Sequence, residues 1–167
     1  MQLRRQVNFE VRSRLDRATG VDFVRDVERS LAAADFLSSL SVGDDDVVSA
    51  HLPVNAALFG QQRLRFASRL VPTPTGGRLE GLVLDDVPGW ARVSGEAVVV
   101  EHTGGCLLDY RFDIEIHLAV PDAESWGGKA LGKMIEVTAD RVLSRIAERF
   151  PEAVRASARA YEETLAA

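Results

Sequence analysis

A chain of 167 residues, 46% of them hydrophobic, is one domain of ordinary size with enough apolar surface for a real interior. A net charge of −5, a pI near 5.2 and arginines interleaved with acids rather than clustered exclude the basic patch of a nucleic-acid binder. The single cysteine, Cys106, excludes an internal disulfide and a cysteine-based zinc site, and it fits a reducing compartment. No apolar run approaches the roughly 18 residues that a membrane span needs. The opening stretch MQLRRQVNFEV passes straight into a strand pattern without the apolar segment of a signal peptide. A cytoplasmic protein, not integral to a membrane, is the expectation.

In chain order, Gln6 to Leu15 alternates, with Val7, Phe9, Val11 and Leu15 on one side, and predicts a first strand. Thr19 or Asp22 is positioned to cap the next element. Phe23, Val24, Val27 and Leu31 recur at helical spacing, and Phe36, Leu37 and Leu40 continue with a shift of phase. They predict one helix over about 21–31 and a shorter one over 33–40. Asp44, Asp45 and Asp46 lack the alternating oxygen ligands of a calcium loop and read as a solvated turn. From Val47 onward the pattern is all strand. Val48, Ala50, Leu52 and Val54 lead, with Pro53 marking a bulge or an edge and Gly60 a turn. Leu64, Phe66, Ser68 and Leu70 then face in, with Arg63, Arg65 and Arg69 facing out. PTPTGG is a turn; a strand with Leu79, Gly81, Val83 and Asp85 comes next, then one with Ala91, Val93, Gly95, Ala97 and Val99. After the Thr103-Gly104-Gly105 hairpin, Leu108, Tyr110, Phe112, Ile114, Ile116 and Leu118 alternate with Asp109, Arg111, Asp113, Glu115 and His117. Consecutive strands with tight turns predict an antiparallel meander.

A sheet with one apolar face must be covered. The candidate cover is a helix that Ser125 caps and Pro151 ends, with Leu131, Ile135, Thr138, Val142, Ile146 and Phe150 on one face. It would be about 37 Å long, enough to cross the sheet. The tail from Pro151 is helix-prone, with Val154, Ala158, Tyr161 and Leu165 on one stripe. The sequence thus predicts an α+β domain over 1–150 and a helical extension over 151–167.

This order, a strand, two short helices, five or six strands and a long helix, resembles the helix-grip, START-like (SRPBCC) superfamily, which includes polyketide-cyclase-like and lipid-transfer-like domains. GWARVSGEAVVVEHTGGCLLDYRFDIEIHL followed by GGKALGKMIEVTADRVLSRIAERF is similar to the C-terminal half of its carbon-monoxide-dehydrogenase G-subunit branch. The resemblance covers roughly Gln6 to Phe150. It implies a curved antiparallel sheet of six to seven strands around the long helix, enclosing a cavity for a hydrophobic small molecule or lipid. The residues that face such a cavity by parity are Leu64, Phe66, Leu70, Val93, Val99, Tyr110, Phe112, Ile114, Leu131, Ile135, Thr138 and Val142. Gly95, Gly127, Gly128 and Gly132 would leave room between sheet and helix; equally, all these side chains could fill a closed interior.

Little else carries chemistry. The histidines His51, His102 and His117 are too scattered for a metal site, and no nucleophile, zinc or nucleotide motif occurs. Gly127-Gly128-Lys129 lacks what a phosphate loop requires. Inward polar groups reduce to Ser68, Tyr110, Thr138 and Asp85, of which only Tyr110 and Asp85 could serve as the two titratable groups that acid–base work needs. Asp109, Asp113 and Glu115 would pair with Arg63, Arg65 and Arg69 if those strands are neighbours. Trp90 and Trp126 would lie near a cavity mouth or cap the interior. Two readings stay open: a non-enzymatic, cofactor-free carrier of an apolar molecule, or an interaction protein whose tail stripe pairs with a partner or a second copy. A cyclase- or hydratase-like enzyme is a further alternative.

Overall fold

The computed structural model describes residues 1–56, 60–119 and 126–167. Its elements are β1 (Gln2–Ser13), α1 (Arg17–Arg25), α2 (Val27–Ser30), β2 (Ser38–Val42), β3 (Val47–Ala56), β4 (Gly60–Thr73), β5 (Gly76–Gly81), β6 (Gly89–His102), β7 (Gly105–Leu118) and α3 (Trp126–Ala166). The strands form one seven-stranded sheet in the order β1-β7-β6-β5-β4-β3-β2, antiparallel at every neighbour. A single parallel contact, Arg65 beside Trp90, joins β4 to β6 where β5 has ended. The alternation in β7 becomes a face: Leu108, Tyr110, Phe112, Ile114 and Ile116 are buried while Arg111 is exposed. α1, α2 and α3 cover that face, as the patterning predicts for a one-sided sheet, and the sheet curls around a long helix as the resemblance implies.

Local chemistry explains where the boundaries depart from expectation. Asp16, not Thr19 or Asp22, caps α1, its carboxylate accepting from the Thr19 amide at 2.8 Å and hydroxyl at 3.0 Å. The helix therefore begins four residues earlier than the apolar spacing suggests. Asp26 ends it and caps α2, accepting from the Arg29 amide at 3.1 Å. The predicted helix over 33–40 is absent. Ser38–Val42 instead pairs with β3, Ser41 opposite Ser49 and Val42 opposite Val48. A weak helical spacing of three apolar residues yields there to a ladder on an open sheet edge. Pro53 lies past the last β2 pairing, where its missing N–H costs β3 nothing. The fourth predicted strand ends at Gly81, so Val83 and Asp85 lie outside the sheet and both are exposed. The Gly60 turn expected before β4 involves 57–59, outside the described residues, as do the Ser125 cap and the side chain of Trp126.

The largest departure is α3. Pro151 does not end it; the helix runs 41 residues through the proline, about 62 Å. Only the carbonyl four residues back loses its donor, and the buried side chains on both sides outweigh that loss. Val154 is fully buried, Ala158 nearly so, and the Tyr161 ring stacks on Phe23 at 5.9 Å. The tail stripe expected to serve a partner is thus spent inside the chain, with only Leu165 left exposed. Glu162 locks that end of the helix to β1: its carboxylate accepts from Ser13 Oγ at 2.7 Å, the Arg14 amide at 2.8 Å and Arg14 Nε at 3.1 Å.

Candidate functional site

The trough between sheet and helices holds an apolar pocket roofed by α1, α2 and the segment up to Leu37. Its floor is the inner face of β4, β6 and β7, from Phe66 and Val93 to Tyr110, Phe112 and Ile114. One end is Ile146 and Phe150 of α3. The cavity is small, about 50 Å³, against the 300–1,000 Å³ usual for ligand pockets. Half-buried Leu31, Leu37, Leu70 and Leu79 form its rim, between the end of the roof and the β4–β5 hairpin.

Aromatic rings dominate one end. Phe9 stacks on Tyr110 at 5.0 Å with an interplanar angle of 6°, and Phe112 meets Phe150 at 5.2 Å. Phe36 completes the group, 6.0 Å from Phe150. Within this wall the Tyr110 hydroxyl is buried and makes no hydrogen bond. Ser30, on the roof beside it, donates to the Val27 carbonyl at 3.3 Å instead. Burial pushes the phenol up from its ordinary 10.0, so it stays protonated. Ser68, the other inner hydroxyl on the floor, is satisfied by the Val93 carbonyl at 2.7 Å.

The expected cavity residues divide. Phe66, Leu70, Val93, Tyr110, Phe112 and Ile114 line this pocket. Leu64, Ile135 and Thr138 line a second hollow of about 260 Å³ between the first half of α3 and the ends of β3, β4, β6 and β7. Val99 is buried elsewhere, against Gly20 of α1. Leu131 and Val142 are half-buried and line neither hollow. The helix presents Ala139, Leu143, Ile146 and Phe150 to the sheet, so the Leu131-Ile135-Thr138-Val142 stripe is a flank. The roof residues Val24, Val27, Ser30, Leu31 and Phe36 were missed as lining. Their signal was the apolar stripe itself, since a short helical segment beside a one-sided sheet has to lie on it.

Gly77 and Gly95 are among the residues that line the pocket. A Cβ on Gly95 would stand 2.2 Å from the Arg111 carbonyl oxygen, so this residue permits close strand approach, not an opening toward α3. Gly127 is exposed with nothing within 4 Å.

On the convex face Arg78, Arg92 and Arg111 line a shallow open hollow with Glu80 and Glu96. Trp90 is not at the mouth; it is buried on the outer side, stacked on His117 at 4.0 Å. His117 Nε2 lies 2.5 Å from a Glu115 carboxylate oxygen. β7 neighbours β1 and β6 rather than β4, so its acids do not meet Arg63, Arg65 and Arg69. Asp113 instead accepts from Arg4 Nε at 2.7 Å, and those hydrogen bonds hold its carboxyl below 3.8. Among the described residues no group of three or more His, Cys, Asp or Glu is placed to hold a metal. Among those residues, too, no helix is long and apolar enough to cross a membrane.

A curved seven-stranded antiparallel sheet gripping a C-terminal helix over an apolar trough defines a helix-grip protein. A family profile described as "Protein of unknown function (DUF3809)" matches residues 8–148, and the chain belongs to that family. Nothing among curated proteins matches it. Of solved structures, the di-domain ARO/CYC BexL from the BE-7585A biosynthetic pathway is similar with a TM-score of 0.52 and 12% identity, over 93% of this chain and 50% of that one. The Zhui aromatase/cyclase from Streptomyces sp. R1128 reaches 0.48 at 14% identity, over 94% of each chain. A conserved protein from Geobacillus kaustophilus reaches 0.47 at 16% identity, over 90% of this chain and 97% of its own. The BexL likeness shows the fold alone; the other two carry no argument.

Proposed function

We propose that the protein binds an apolar small molecule or lipid, without catalysis, in the pocket between the sheet, the α1–α2 roof and α3. The observation that carries this reading is the Tyr110 hydroxyl. A buried polar group without a partner costs about 1–3 kcal/mol, and native interiors rarely leave one so. A guest with an acceptor beside the phenol would supply the missing partner. The small cavity requires the roof to move outward as the guest enters. Arg25 is the latch, donating to the carbonyls of Thr73 at 2.6 Å and Gly76 at 2.8 Å.

The cyclase- or hydratase-like enzyme that the sequence resemblance implies is the second reading. One protonated phenol beside a serine lacks the second titratable group that acid–base chemistry needs, which favours binding. The finer kinship with the carbon-monoxide-dehydrogenase G-subunit branch stays part of this proposal, carried by the Gly-Gly hairpin and the Gly-led helix. Native mass spectrometry of the full chain from its own host tests the reading, alongside titration with an apolar fluorescent probe. A retained apolar adduct or saturable probe binding is expected. A clean unliganded mass together with no probe binding overturns it.

A further inference from the structure

We infer that the guest is neutral, flat and aromatic, and that it carries one oxygen acceptor which meets the Tyr110 hydroxyl. This rests on the binding reading above and narrows it to a ligand class.

Charge is excluded by the wall. The described lining residues include no arginine, lysine or histidine, and the one ionisable carboxylate among them, Glu96, is exposed. Arg25, beside Gly77 at the rim, already gives its donors to two backbone carbonyls. A carboxylate or phosphate carried inward would lose its water and find nothing to pair with. A fatty acid therefore fits the apolar surface but not its electrostatics.

Shape follows from the rings. Phe36, Phe66, Tyr110, Phe112 and Phe150 all contribute to the pocket wall. Phe9 backs Tyr110 in a nearly parallel stack, which fixes that ring's plane. Aromatic pairs favour offset stacking or edge-to-face contact, and a thin ring displaces less of a narrow cavity than a branched chain does. The polar requirement is equally specific. Tyr110 has a free O–H to give, and Ser30, already donating to Val27, has lone pairs to offer. A ketone or phenol oxygen suits the first, and a phenol also suits the second.

Matched probes test this on the full chain by calorimetry: 2-acetonaphthone, 2-ethylnaphthalene, 2-naphthoate and the aliphatic ketone 2-undecanone. The acetonaphthone should bind about tenfold tighter than the ethylnaphthalene, the worth of one net hydrogen bond, and tighter than both others. Tyr110→Phe removes only an unpartnered hydroxyl, so it should fold and should bring the first two probes to equal affinity. Equal or tighter binding of the naphthoate or the undecanone overturns the inference. So does a Tyr110→Phe variant that keeps the preference for the ketone. If no probe binds but the host protein carries an apolar adduct, this inference falls and the binding reading stands. If neither is seen, both fall.

Discussion

Gly95 shows how much one hydrogen atom in place of a side chain can decide. Its φ of +156° and the Arg111 carbonyl 2.2 Å from any added Cβ leave no rotamer to relax into, because the obstacle is backbone. Gly95→Ala should lower stability by at least about 2–3 kcal/mol, read as a fall in the urea midpoint. Glu162 offers the clearest pH effect. Burial pushes its carboxyl up, but hydrogen bonds from Ser13 and Arg14 outweigh that and hold it below the ordinary 4.5. A depressed carboxylate stabilises the fold fully above 4.5, and that contribution fades as pH falls through the lower folded value. Glu162→Gln should cost about 1–3 kcal/mol at neutral pH. The gap to the natural chain should narrow below pH 4.5, which chemical denaturation across that range measures. Residue-level reading of the sequence found Tyr110 on the inner face because strand parity is unambiguous there. It could not find that the hydroxyl is alone, since this depends on Ser30 turning to its own helix.

Among elements, α3 is two helices in one. Beyond Leu143 its inner side chains are buried almost without exception. Before Ala139 they are half-buried or exposed, with Met134 at 49% and Val137 at 41%. Gly127, Gly128 and Gly132 weaken that first part further. Amide hydrogen exchange should therefore be at least about tenfold faster over residues 129–138 than over 143–158; uniform protection would refute the division. The apolar spacing of Leu131, Ile135, Thr138 and Val142 is real, which is why the sequence suggested a sheet-facing stripe. Spacing identifies a face but not the direction it points, and here the sheet meets the next face round. Pro151 misled for a related reason: a proline's local cost is fixed, whereas the burial on either side that offsets it is tertiary.

At the scale of the molecule, the 151–166 turns belong to the fold. Removing them uncovers Phe23, at 0% exposure, and breaks the Glu162 tie to β1. Burial of each large apolar side chain contributes about 1.5–3 kcal/mol, and a domain's whole stability is about 5–15 kcal/mol. A chain ending at Phe150 should therefore lose its cooperative thermal transition by circular dichroism; a sharp melt near that of the full chain would show the tail dispensable. The sheet was legible because alternation survives in every long strand. The order of strands was not, so the arginines of β4 were matched with the wrong neighbours: nothing local in β1 says that it lies beside β7.

That last adjacency sets a delay during synthesis. Gln2 pairs with His117, and at ribosomal speeds of about 5–20 residues per second the first strand waits roughly 6–23 s for the ladder it forms with β7. Val7, Phe9 and Val11 spend that interval emerged and uncovered, a natural target for whatever holdase attends the exit tunnel.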